Sequence, residues 1–166
     1  MANNPTHKLK LKAEGSVLVD DKGGVVKYAD VNNFPILKDM TMFYAKLEKG
    51  GLREPHWHPN ASELDYVVKG KVRIGILSGD MSRETVDLEP GDICYIPRGY
   101  FHYILNLADG ESELAIAFSD PNPEDIGLTG AVGFLDNDLL GLSFNTSPDV
   151  FKDVPKPDGN LIITPR

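Results

Sequence analysis

The chain has 166 residues and a formal net charge of −8, from 17 Lys and Arg against 25 Asp and Glu. That length is enough for one domain with a closed core, and no Lys/Arg cluster stands ready to neutralise phosphates, which excludes nucleic acid and anionic membrane as expected partners. A lone cysteine, Cys94, leaves no internal disulfide to form and suits a reducing compartment, where it would serve as a small buried hydrophobe. The amino-terminal MANNPTHKLKLKAEG lacks the apolar core of a signal peptide, and no apolar run approaches the ~18 residues of a membrane span. The expectation is a soluble, cytoplasmic protein.

Sixteen glycines and twelve prolines punctuate short runs of β-branched and aromatic residues, the texture of an all-β sandwich or barrel. In chain order the pattern predicts strands over 17–19, 25–29, 42–47, 53–58, 63–69, 71–77, 84–88, 93–96, 101–105 and 113–118, with turn residues between most of them. Val72, Ile74 and Ile76 share one side of their strand, as do Leu114, Ile116 and Phe118, and these sides should line the interior. Residues 119–130, SDPNPEDIGLTG, read as a Pro/Gly/Asp-rich loop. One short helix is expected over 134–142, followed by a Pro- and Asp-rich tail over 146–166 that wraps the surface. The expected organisation is a single structural domain: N-terminal strands over 1–40, a barrel core over 41–118, and lid loop, helix and tail over 119–166.

Three of the four histidines fall within this barrel core, and Glu63 stands at ligand spacing from them. His56 and His58 are two apart, so on an extended strand both side chains face one side while Trp57 faces the other. Residues 59–62 then turn the chain, and Glu63 opens the returning strand with its carboxylate able to meet the same ion. Gly70 suits the next turn, where φ is expected to be positive. His102 comes from a separate hairpin introduced by Pro97 and Gly99, and shares its face with Ile104 and Asn106. Three neutral imidazoles and a carboxylate suit a divalent first-row ion, leaving two octahedral positions for water, substrate or dioxygen. Mn(II) and Fe(II) lead; Zn(II), Ni(II) and Cu(II) stay open.

The frames around these residues are G-x5-HxH-x4-E-x6-G, from Gly50 to Gly70, and G-x5-PxG-x2-H-x3-N, from Gly91 to Asn106. They resemble both motifs of the cupin superfamily without a departure. The resemblance implies a cupin double-stranded β-helix, or jelly-roll barrel, with a short C-terminal helix and a metal held by His56, His58, Glu63 and His102. Fold alone does not fix function.

A narrower resemblance covers most of residues 14–130. LREPHWHPNASELDYVVKGK, GDICYIPRGYFHYILN and KGGVVKYADVNNFPILKDM together look like one half of a bacterial oxalate decarboxylase. Those enzymes carry two cupin domains and this chain carries one, so it resembles a monocupin relative, and a homodimer or higher homo-oligomer is expected. The resemblance implies Mn(II)-dependent conversion of oxalate to formate and carbon dioxide with dioxygen as cofactor, or oxidation to carbon dioxide and hydrogen peroxide. Arg53 matches an arginine beside the metal that pairs with the substrate carboxylate, a role suited to a guanidinium fork. Strict alternation would turn Arg53 away from His56, but Pro55 can bulge the strand and break that parity. The loop at 119–130 falls where the decarboxylases carry a lid with a proton-shuttling glutamate; Asp125 aligns with it, or Glu124 by a slip of one residue.

Other expectations are plainer. Trp57 packs in the sheet interface, and Tyr66, Tyr95 and Tyr103 are core or rim aromatics rather than catalytic phenols, with a reach to substrate left open for Tyr103. Asn106 supports the hairpin near His102. Two other readings stay open: another metal cupin enzyme, a dioxygenase or an isomerase, with Leu64, Val68, Ile104 and Ile116 lining an apolar pocket, and a non-catalytic cupin that binds metal or a small ligand.

Overall fold

The computed structural model describes residues 7–165, so the part of the amino-terminal reading that rests on residues 1–6 lies outside it. A four-residue helix, α1 (Leu11–Glu14), leads into β1 (Ser16–Asp21), β2 (Gly24–Ala29), β3 (Thr41–Leu47), β4 (Leu52–Trp57), β5 (Glu63–Lys69) and β6 (Val72–Leu77). β7 (Arg83–Leu88), β8 (Ile93–Ile96), β9 (Phe101–Asn106) and β10 (Ser112–Phe118) complete the barrel strands. All ten expected strands are present, within two residues of their expected ends.

They form two facing antiparallel sheets, one ordered β1-β2-β3-β10-β5-β8 and the other running β4-β9-β6-β7. Period-two alternation decides what each strand buries. On β6, Val72, Ile74 and Ile76 face inward; on β10, Leu114, Ile116 and Phe118 do the same, and Leu47, Val67, Ile96 and Ile104 meet them from neighbouring strands. Each such side chain contributes about 1.5–3 kcal/mol by leaving water. Gly70 takes φ +84° in the turn between β5 and β6, as its position in the motif predicts, and a β-carbon there would strike Ser112.

The carboxyl-terminal third differs from expectation. The helix expected over 134–142 is two helices, α2 (Leu128–Phe134) and α3 (Asn137–Phe144). Asp136 separates them: it is extended, and its side chain accepts a hydrogen bond from the Leu139 amide (2.7 Å), which starts a new helix. The tail does more than wrap the surface. β11 (Ile126–Gly127) pairs with the far half of β4, and β12 (Ile163–Thr164) pairs with its near half, so lid and tail together cover that strand's free edge. Ile163 drops into the core at 2% exposure.

Candidate metal centre

β4 and β9 set His56 opposite His102 in register, and Glu63 begins β5 in the facing sheet. His58 lies just past β4, where its carbonyl accepts the Gly99 amide (3.0 Å) from the turn that carries Pro97. One donor atom from each of His56, His58, Glu63 and His102 lies within 4.8 Å of every other, and all four residues are buried.

The histidines are oriented from behind. Nδ1 of His56 bonds the Glu54 carbonyl (2.7 Å), that of His58 the Glu124 carbonyl (2.7 Å), and that of His102 the Tyr100 carbonyl (2.9 Å). A carbonyl can only accept, so each Nδ1 donates and each Nε2 faces the cage, where a neutral ring offers its lone pair and a protonated ring donates to Glu63, whose oxygen lies 3.0 Å from His102 Nε2. His58 Nε2 is 3.0 Å from a Glu63 oxygen but is not aligned for a hydrogen bond, so it stays an unsatisfied buried atom. Such an atom, facing a carboxylate and two more imidazoles, fits a divalent cation well.

The electrostatics treat the four groups differently. Burial, then the positive charge of Arg53, holds the His56 pKa well below the usual histidine range, keeping that ring neutral. Burial works against a proton on His58, but the Glu63 carboxylate and then Asp125 outweigh it and raise its pKa. Burial would likewise push Glu63 up; the charge and hydrogen bond of His102, then His58, hold it well below the ordinary carboxylate range. Asp65, two residues on and facing inward, moves the other way. Burial and then the Glu63 charge push its pKa well up. Neither of its oxygens has a hydrogen-bond partner. Sequence reasoning missed Asp65; the signal was its inward parity with Glu63.

Arg53 lines the same cavity as His56, His58 and Glu63, together with Phe43, Ile104, Ile116 and Phe118. Parity is broken as Pro55 allows: the β4–β9 register shifts between Arg53 and His56, so both residues are buried. The Arg53 guanidinium forms a salt bridge with Asp125. Asp125 is half-buried and points inward, while Glu124 is exposed and contributes its backbone carbonyl to His58. The cavity measures about 20 Å3, room for an ion or about one water.

Several side chains stand elsewhere than expected. Leu64 and Val68 lie on the outer face of β5 and line no cavity with the histidines, because they alternate with the inward Glu63, Asp65 and Val67. Tyr103 is also turned outward, its ring over Gly75, which removes its route to substrate. Tyr66 and Tyr95 are exposed on the outer face. Trp57 lies opposite the histidines, its ring 5.9 Å from that of Phe101. Asn106 braces the hairpin that follows β9 and makes no bond to His102: its amide nitrogen bonds the Leu47, Glu48 and Gly110 carbonyls at 2.8–3.0 Å, and its oxygen accepts the Ala108 amide (2.8 Å).

A family model described as Cupin matches residues 9–152. Oxalate decarboxylase of Bacillus subtilis is 30% identical over 136 residues, 82% of this chain and 35% of that protein. Oxalate decarboxylase of Arthroderma benhamiae is 30% identical over 165 residues, 98% of this chain and 38% of that protein. Germin-like protein subfamily 2 member 1 of Arabidopsis thaliana is 28% identical over 138 residues, 80% and 63% of the two chains. A solved Bacillus subtilis oxalate decarboxylase superimposes with a TM-score of 0.81 at 26% identity, over 89% of this chain and 38% of its own. The chain therefore spans between a third and two-fifths of the decarboxylases it matches. With the family model running from the first strand past the last histidine and into the tail, the chain belongs to the cupin family and is a single-cupin relative of the oxalate decarboxylases.

Proposed function

We propose that this protein is a Mn(II)-dependent enzyme acting on a small carboxylate, with oxalate as substrate and formate and carbon dioxide as products. The observation that carries this reading is Arg53: a buried guanidinium lines the cage cavity and is held by an acidic residue of the overlying loop. A storage cage has no use for such a fork. The relatives named as oxalate decarboxylases support the substrate. In this reading the metal ligands are His56, His58, Glu63 and His102, and the working parts are the N-terminal strands 1–40, the barrel 41–118, and the lid, helices and tail 119–166.

A divalent ion in the cage would anchor one carboxylate of the substrate and, with dioxygen as cofactor, supply a one-electron couple. The remaining duties fall to the chain. Arg53 takes the second carboxylate through its fork. Asp125 must first leave Arg53, because the closed cavity of about 20 Å3 is too small for a dicarboxylate. Once displaced, the Asp125 carboxylate can take the acidic proton that hydrogenoxalate brings and hand it to the carbon that has lost carbon dioxide. Hydrogenoxalate then gives carbon dioxide and formate with no net oxidation. Without that proton, dioxygen carries both carbons to carbon dioxide and is itself reduced to hydrogen peroxide. Glu124, exposed in this arrangement, takes the proton duty only if the open lid advances by one residue.

One observation favours a second reading, a cupin that binds metal or a small ligand without turnover. With Asp125 on Arg53 the site is self-neutralised and admits nothing larger than an ion or water. A cupin dioxygenase or isomerase loses the support of Leu64 and Val68, which face outward. The test is a carbon-13 NMR time course of labelled oxalate with Mn(II)-loaded protein in air at mildly acidic pH. Formate in stoichiometric yield is expected. Peroxide without formate would make the protein an oxidase, and an unchanged oxalate signal would move the assignment to the binding protein. The reading includes a cytoplasmic location, which the buried free thiol of Cys94 suits, and a homo-oligomer.

A further inference from the structure

Two side chains outside the cage tie the lid, the tail and β4 into one knot. Glu54 is 1% exposed and is not among the residues lining the cavity. One of its carboxylate oxygens accepts the Ile162 amide (2.8 Å) and the other the Thr129 amide (2.9 Å). Asn160 bridges the lid directly: its oxygen accepts the Gly127 amide (2.9 Å) and its amide nitrogen donates to the Asp125 carbonyl (3.0 Å). The Leu161 amide adds a bond to the Thr129 hydroxyl (3.0 Å).

Three features show that this contact is built into the chain. Ile162 has φ +64°, a left-handed conformation that a β-branched residue adopts only when its surroundings impose it. Its imposers are visible: its amide bonds the Glu54 carboxylate, and its carbonyl accepts the Glu54 amide (2.9 Å) and Arg53 Nη1 (3.3 Å). Glycine stands at the two lid positions where Glu54 and Asn160 approach. A β-carbon at Gly127 would strike the Glu54 carboxylate, and one at Gly130 would strike the Asn160 oxygen. The Arg53 that bonds Ile162 is also the partner of Asp125, so the chain of contacts closes on itself.

We propose that residues 160–164 are a latch for the lid, with Glu54 and Asn160 as positioning residues that set how often Asp125 releases Arg53. The inference rests on the lid reading of Asp125 but not on the identity of the anion. The tail must loosen before the cavity opens, and opening also draws the Glu124 carbonyl from His58, so the latch governs metal retention as well as access.

The experiment compares full-length, Mn(II)-loaded wild type with Asn160→Ala and Glu54→Gln, by hydrogen exchange of residues 121–130 and by the rate of metal loss to excess EDTA. Losing one or two of these hydrogen bonds should speed both readouts roughly tenfold, with β3 and β10 exchanging as in wild type. Glu54→Gln keeps shape and one acceptor oxygen, so a smaller effect is expected there. Unchanged exchange over 121–130 would overturn the latch. So would exchange that rises equally in β3 and β10, since the tail would then merely stabilise the barrel. Faster lid exchange and metal loss in the variants, with a wild type that does not turn over oxalate, would uphold the latch while removing the oxalate reading.

Discussion

Three backbone carbonyls, one from β4, one from the lid and one from the approach to β9, fix the tautomers of three histidines, and this makes a ligand set of ordinary side chains. Arg53 is a different kind of residue: it faces the cavity without belonging to the cage. On the proposed reading, Arg53→Ala is therefore expected to leave bound manganese near one equivalent by elemental analysis while abolishing loss of oxalate; loss of metal together with turnover would assign Arg53 a structural role. Cys94 offers a pH test. Burial, then the charges of Asp65 and Glu63, pushes its thiol from 9.0 up to about 12. The folded protein holds this proton longer than the unfolded chain, so the stabilisation is complete below pH 9.0 and is lost as pH rises toward about 12. Urea titrations should show stability falling by roughly 1.4 kcal/mol per pH unit across that window, and Cys94→Ala should remove that share of the slope. The ligands were legible in the sequence from their residue types, motif spacing and parity, and Cys94's burial from the habit of a lone free thiol. Asp65 was passed over because an inward acid beside an inward acid matches no simple alternation of apolar and polar.

Among the elements, β4 does the most with the least regularity. Pro55 breaks its alternation, which lets Arg53 and His56 share the interior and leaves Glu54 buried beneath β11 and β12. The sequence allowed this bulge but did not require it. What the lid and tail would do with the strand's free edge was invisible, because two-residue strands carry no periodic signal and Glu54 and Asn160 are 106 positions apart in number but joined through one lid. Turns were easier. Gly70→Ala should fold to the same barrel with stability lowered by about 1–3 kcal/mol, since φ +84° and contact with Ser112 both oppose a β-carbon. Urea denaturation measures this, and an unchanged midpoint would mean that the turn relaxes without cost. The split between α2 and α3 follows the same local logic: Asp136 is a cap, and a cap inside an expected helix divides it.

Across the whole molecule, the apolar surface left uncovered is larger than one barrel needs. On the outer face of one sheet, Leu64, Tyr66 and Val68 lie beside Ile93 and Tyr95. On the carboxyl-terminal helices, Phe134 is 86% exposed, Leu142 80% and Phe144 69%. Patches of this kind mark interfaces, and a stable dimer buries roughly 1,600 Å2 in total. Sedimentation velocity on the purified protein is expected to show a homodimer or higher oligomer. Tyr66→Asp with Tyr95→Asp, and separately Leu142→Asp with Phe144→Asp, should reduce it where the substituted face is the interface; a monomeric wild type would refute the assembly.

By itself the sequence determined the strands, the inward faces, the turn glycines and the four cage residues. All of these follow from alternation and from backbone angles that only nearby residues set. Tertiary structure decided that Arg53 and Asp125 meet, that Glu54 is buried under lid and tail, and that Ile163 enters the core. Those outcomes depend on contacts between segments of 72 to 109 positions' separation, and a pattern with a period of two residues holds no information over such a span.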